Sequence, residues 1–125
     1  MWQRLAWISF AGILGTLARY GLAGLMQRVS NAAIPPGTFA VNAIGCFLFG
    51  VVWALAEERA LISGETRTII LVGFMGAFTT FSTFAFETAQ MLRDSEWLMA
   101  GGNLLAHNVV GVAFVLFGIA LGRLF

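Results

Sequence analysis

Lysine is missing from this chain altogether, and only 10% of its 125 residues carry charge. The seven arginines are scattered and leave a formal net charge of +1. Without a basic patch or stripe there is no electrostatic footprint for a phosphate backbone, so nucleic acid is excluded as a partner. Cysteine occurs once, as Cys46 in an apolar stretch. It can close no internal disulfide and has no thiol neighbours for a metal site, so its expected role is that of a small buried hydrophobe. The low share of charge also excludes a soluble domain, in which about a quarter of residues are charged. The lone His107 has no carboxylate at a matching spacing in its own segment, and no serine–histidine–acid set can be assembled, so the chain is not expected to be an enzyme.

Hydrophobic residues make up 59% of the sequence. A bilayer core takes about 20 mostly apolar residues per helical span, and polar clusters divide the chain into four such segments. They run from about Leu5 to Met26, from Thr38 to Ala56, from Thr68 to Leu92 and from Trp97 to Leu124. The expectation is an all-α integral membrane protein, with residues 1–125 forming a single four-helix transmembrane domain. Pro35 and Pro36 separate the first two spans, since proline forbids helix continuation and favours an extended approach. The connection Glu57–Arg67 holds most of the charge and lies in water. Trp2, Trp53 and Trp97 fall near span ends, where indoles settle at the headgroups. Arg4 before an apolar run resembles a signal peptide, but Arg19 interrupts the run and three more spans follow, so it reads as the first span.

Four spans place Arg4, Arg59, Arg67 and Arg123 on one side of the membrane, Arg28 and Arg93 on the other, and Arg19 deeper. That bias is small by the positive-inside rule and permits insertion in both directions, hence an antiparallel homodimer; the alternative is that four against two fixes one topology. Glycines within the spans, including the GxxxG match "GIALG" at Gly118 to Gly122, imply close helix packing.

Polar groups at membrane depth need a partner or a water-filled route. Arg19 either snorkels along its aliphatic stem or draws anions into a vestibule. Asn42 either joins helices by hydrogen bonds or faces an ion path. Asn103 and His107, four apart on one face of the last span, suggest an inter-helix hydrogen-bond ladder, and Asn108 follows them. The third span is the most informative. Gly73 and Gly76 lower helix propensity, and Thr79, Thr80, Ser82 and Thr83 compete for the backbone, so a break is expected at Gly76 to Thr80. A helix broken at mid-membrane exposes carbonyl oxygens suited to a monovalent cation. Beyond it, Phe81 and Phe84 form an aromatic row beside the hydroxyl row of Thr80, Thr83 and Glu87. Ring edges are positive and hydroxyls donate, so the pairing suits a narrow path for a small, strongly hydrated anion that would exclude larger halides by its bore.

"GTLARYG" at Gly15 to Gly21, "PPGTFAVNAIG" at Pro35 to Gly45 and "GFMGAFTTFSTFAFET" at Gly73 to Thr88 together resemble the Fluc/CrcB family of fluoride channels, in order and across most of the chain. The resemblance implies a four-helix subunit of dual topology, assembled as an antiparallel homodimer with two fluoride pores. It implies that Phe81 and Phe84 match the pore phenylalanines, Asn42 the pore asparagine and Arg19 the vestibule arginine. Gly76 and Thr79 would offer backbone carbonyls to a structural sodium ion (Na+) on the dimer axis, and Thr80, Ser82, Thr83 and Glu87 resemble the family's polar track. His107 also matches, whereas Asn108 has no counterpart role. Function follows as passive export by a multi-pass protein of the cell inner (plasma) membrane, with membrane lipid, fluoride and a second copy as partners. Hydrogen fluoride enters as a neutral molecule and ionises, and the negative interior potential drives the anion out. A small multidrug-resistance exporter is the rival of similar size, but its proton coupling needs a carboxylate at depth in the first span, and here there is none. A purely structural subunit would not need the hydroxyl and phenylalanine rows.

Overall fold

The computed structural model describes residues 1–32 and 34–125. Among the described residues, four helical stretches are long and apolar enough to cross a membrane: Trp2–Val29, Pro36–Glu58, Gly64–Arg93 and Trp97–Gly122. The chain is therefore a multi-pass, all-helical membrane protein. Each stretch begins or ends within a few residues of the polar clusters that delimit it in the sequence.

Helix α1 spans Trp2–Val29, 28 residues. At about 1.5 Å per residue it exceeds a hydrocarbon core of about 30 Å, so its ends reach the headgroups. It stays continuous despite several glycines, because a lipid-facing backbone must satisfy its polar groups internally. Helix α2, Pro36–Trp53, starts two residues before the expected Thr38. Pro36 occupies the first turn, where the N–H it lacks would have no helical partner. The helix then widens into a π-type turn over Ala54–Glu58, closed by Arg59 N–H donating to the Ala54 carbonyl at 3.0 Å. Helix α3, Gly64–Thr68, is capped by Ser63 Oγ, which accepts from Thr66 N–H at 3.2 Å. The charged connection is correspondingly shorter than its polar composition indicates. Arg67 pairs with Glu57, and Arg123 Nη2 donates to Glu58 Oε1 at 2.9 Å. Exposed pairs of this kind contribute little to stability.

The third span continues from α3 through a π-type stretch, Ile69–Met75, into α4, Gly76–Phe78. Thr79 (φ −80°, ψ 157°) and Thr80 (φ −147°, ψ 101°) are extended, and α5 begins at Phe81 and runs to Arg93. Helix α6 covers Trp97–Gly122.

Two close approaches hold the bundle. Helices α2 and α6 make the most extensive contact, along Gly50 and Ala54 of one stretch and Gly118 and Gly122 of the other. A Cβ on Gly118 would collide with the Phe47 carbonyl, and one on Gly50 with the Val115 carbonyl. The "GIALG" spacing thus serves packing inside the subunit, with small residues on both partners. Helix α1 meets the third span in the same way, Gly15 lying against the Phe74 carbonyl. Val41, Met75 and Phe78 form the buried centre between them. Many of the other large apolar side chains, Trp2, Leu98 and Leu105 among them, face outward, as expected where lipid is the solvent.

Candidate functional site

In an α-helix the N–H of residue i bonds to the carbonyl of i−4. The Gly76 carbonyl would therefore take the Thr80 N–H, and the Thr79 carbonyl the Thr83 N–H. Neither donor goes there. Thr80 N–H donates to Asn42 Oδ1 at 2.8 Å, and Thr83 N–H donates to Thr80 Oγ1 at 3.3 Å. Asn42 Nδ2 completes a two-point clamp by donating to the Thr80 carbonyl at 3.1 Å. Thr79 turns its own N–H and hydroxyl back onto the Met75 carbonyl, at 3.0 and 2.9 Å. The outcome is that the carbonyls at the break, those of Gly76 and Thr79 among them, are relieved of their helical donors.

Around this point the structure separates the two rows expected to run side by side. Phe81 and Phe84 line a cavity of about 390 Å³ together with Asn42, Cys46, His107 and Asn108. Their rings meet edge to face, centroids 5.5 Å apart at 63°. Thr80, Thr83 and Glu87 instead line a wider cavity of about 1030 Å³ with Arg19 and Thr38. The buried Thr80 lines the wider cavity, and its backbone is clamped by Asn42, which lines the narrower one. Thr80 Oγ1 donates to Thr83 Oγ1 at 2.8 Å, while Ser82, exposed, lies 3.5 Å away from the same oxygen. Arg19 is half-buried at this wider mouth.

Thr38 and Thr88, which the sequence reading gives no role, help hold these groups in place, together with the polar residues expected to link helices from the last span. Thr38 donates to Glu87 Oε1 at 2.6 Å, and Glu87 Oε2 is buried without a partner among the described residues. Thr38 and Glu87 lie on different spans, and no local spacing signals their pairing. Thr88 hydroxyl donates to the Phe84 carbonyl at 2.8 Å and accepts from Asn103 Nδ2 at 2.9 Å, so the fully buried Asn103 reaches across from α6 to α5. His107 Nδ1 lies 3.1 Å from the Asn103 carbonyl. A carbonyl only accepts, so Nδ1 carries a proton in this contact. Nε2 has no partner among the described residues. The ring lies against Phe84, centroids 4.3 Å apart, with the Phe39 ring edge-on at 5.3 Å. Phe84 is thus braced through its carbonyl and through its face. Asn108 turns back to the Leu104 carbonyl at 2.7 Å.

A family model described as "CrcB-like protein, Camphor Resistance (CrcB)" matches residues 6–119. The chain belongs to the CrcB family. A CrcB relative from Nitrosococcus oceani named "Fluoride-specific ion channel FluC" is 59% identical over 124 residues, covering 99% of each chain. Proteins of the same name from Desulforapulum autotrophicum and Solidesulfovibrio magneticus are 50% and 49% identical, again over 99% of each chain. The CrcB relatives carry the name of a channel, not of an enzyme. The CrcB match contains the Asn42 clamp, the extended pair Thr79–Thr80 and both cavity phenylalanines.

Proposed function

We propose that this chain is a fluoride-selective channel that lets cytoplasmic fluoride leave the cell passively, down its electrochemical gradient, across the inner membrane. The observation that carries the reading is the edge-to-face pair Phe81 and Phe84 on the wall of a cavity that also presents the Asn42 amide, in a chain 59% identical to a protein named for fluoride conduction. Ring edges and amide hydrogens are positive without being charged, so they can substitute for the hydration of a small anion without trapping it. Arg19 gathers anions at the wider mouth, where Thr83 and Glu87 also lie. Thr80, Ser82, Thr83 and Glu87 form the polar track, and the Thr38 hydroxyl holds the Glu87 carboxylate aside.

The channel is read as an antiparallel homodimer with two pores. Phe81 is 78% exposed in the single chain, although its ring lines the phenylalanine cavity. A second copy crossing at the third span would cover it. Gly76 is also exposed, and a Cβ there would meet nothing of its own chain closer than the Leu71 carbonyl at 3.9 Å. Nothing in its own chain therefore requires a glycine there, whereas a close approach by a second copy would. The relieved carbonyls of Gly76 and Thr79 are of the right kind for a hard monovalent cation, and in the dimer they would hold a structural sodium ion. The ion would neutralise carbonyl ends that otherwise face one another across the interface.

Fluoride efflux from liposomes containing only the purified protein tests the function. Rapid fluoride release with chloride retained is expected, with no requirement for a proton gradient or for another subunit. Failure to release fluoride, or release only with counter-moving protons, overturns the reading. Cysteine labelling in intact cells tests the assembly, and N-termini are expected on both membrane faces. Exclusive labelling from one side would rule out dual topology.

A further inference from the structure

Asn42 is expected from the sequence to be a pore donor, yet the structure commits most of its amide elsewhere. Thr80 is extended, so its N–H and carbonyl point to the same side, and one primary amide can engage both. Asn42 does so from α2, thirty-eight residues away in sequence, through bonds of 2.8 and 3.1 Å. Thr80 is buried, and its N–H therefore requires a partner. Without Asn42 the nearest acceptor by helical geometry is the Gly76 carbonyl, four residues back. Taking it would carry α4 on through Thr79 and consume the Gly76 oxygen.

We infer that Asn42 is a positioning residue for the cation: by holding the Thr80 backbone out of the helical ladder, its amide keeps the Gly76 carbonyl free to coordinate. The inference rests on the sodium reading above and extends it to a residue that donates no ligand. It also gives Asn42 two duties. One Nδ2 hydrogen and one Oδ1 lone pair brace the main chain, and the second Nδ2 hydrogen is left for the cavity shared with Phe81 and Phe84. Only a side chain with both a donor and an acceptor can make the clamp. Leucine, of similar volume, can make neither bond, and serine is too short to make both.

The test measures how much sodium the purified dimer needs for its thermal stability, with sodium replaced stepwise by N-methylglucamine, in the wild type and in Asn42→Leu, Asn42→Ser and Phe81→Ile. The wild type is expected to lose stability as sodium is withdrawn. Asn42→Leu should raise the half-saturating sodium concentration about tenfold or more, as for the loss of one coordinating oxygen. Should it fail to assemble, Asn42→Ser carries the same expectation. Phe81→Ile should lose fluoride flux but keep the wild-type sodium requirement, which separates a pore defect from a cation defect. If the Asn42 variants lose flux while their sodium requirement stays within about twofold of wild type, Asn42 is a pore donor alone and the inference falls. A wild type indifferent to sodium removes the structural-cation reading itself, and that arm reports it independently of any variant.

Discussion

Phe81→Ile is expected to lower fluoride flux about thirtyfold, the rate equivalent of losing roughly 2 kcal/mol of ring electrostatics at a desolvated site. Isoleucine retains much of the bulk and the apolarity but has no quadrupole. If Phe81 served only packing, the swap would be nearly silent, because volume-conserving changes usually cost less than about 1.5 kcal/mol and this ring is 78% exposed in the single chain. Phe84→Ile should lose flux comparably but with some loss of stability, since Phe84 is only 6% exposed and its ring lies on His107. Phe→Met at either position should be milder, as a soft, polarizable side chain still presents weakly positive hydrogens to an anion. Flux and dimer retention measured on the same samples separate the two effects. Isoleucine variants that conduct normally would make these rings core residues and put the path elsewhere.

Gly118→Leu is expected to destabilise the fold by about 3 kcal/mol or more, at the upper end of overpacking penalties, because the new side chain meets backbone that cannot step aside. The first obstacles are the Phe47 carbonyl and the Val51 amide nitrogen across the α2–α6 contact. Gly101→Leu, on the same helix, is the comparison: a Cβ there has nothing within 4 Å. Its expected effect is close to zero or slightly favourable, since leucine is a better helix former than glycine. Unfolding of both variants in lipid or detergent against wild type checks the pair. Equal stability of the two would refute the close approach of α2 and α6.

What the sequence made legible was governed by local rules. Four apolar stretches announce four spans because lipid imposes one requirement on every residue between the polar clusters. Helix α2 starts two residues before Thr38 because Pro36, which reads as a helix breaker, is a helix starter at a first turn. The site was less legible where it depends on residues far apart in the chain. The spacing of Thr80, Thr83 and Glu87 puts them on one face, but it does not tell that this face and the Phe81–Phe84 face open into different cavities. Asn42 and Asn103 stand out as polar groups at depth, but their partners, Thr80 and Thr88, become visible only in three dimensions. The bond from Thr38 to Glu87 has no sequence signal, since the two lie on different spans and no local spacing links them.

The extended pair Thr79–Thr80 also gives the third span two ends where an unbroken helix would have none. Peptide dipoles add along each half separately, leaving roughly half a negative charge at a carbonyl end and half a positive charge at an amide end. The upstream half closes on the carbonyls of Gly76 to Thr79, and α5 opens with the amides of Phe81 and its neighbours. Opposite poles therefore meet within about one turn of main chain at mid-membrane. A cation at the first and an anion passing the second would each lie in a favourable field, and each would weaken the repulsion the other feels from its farther pole. One short piece of backbone sets the sign of both.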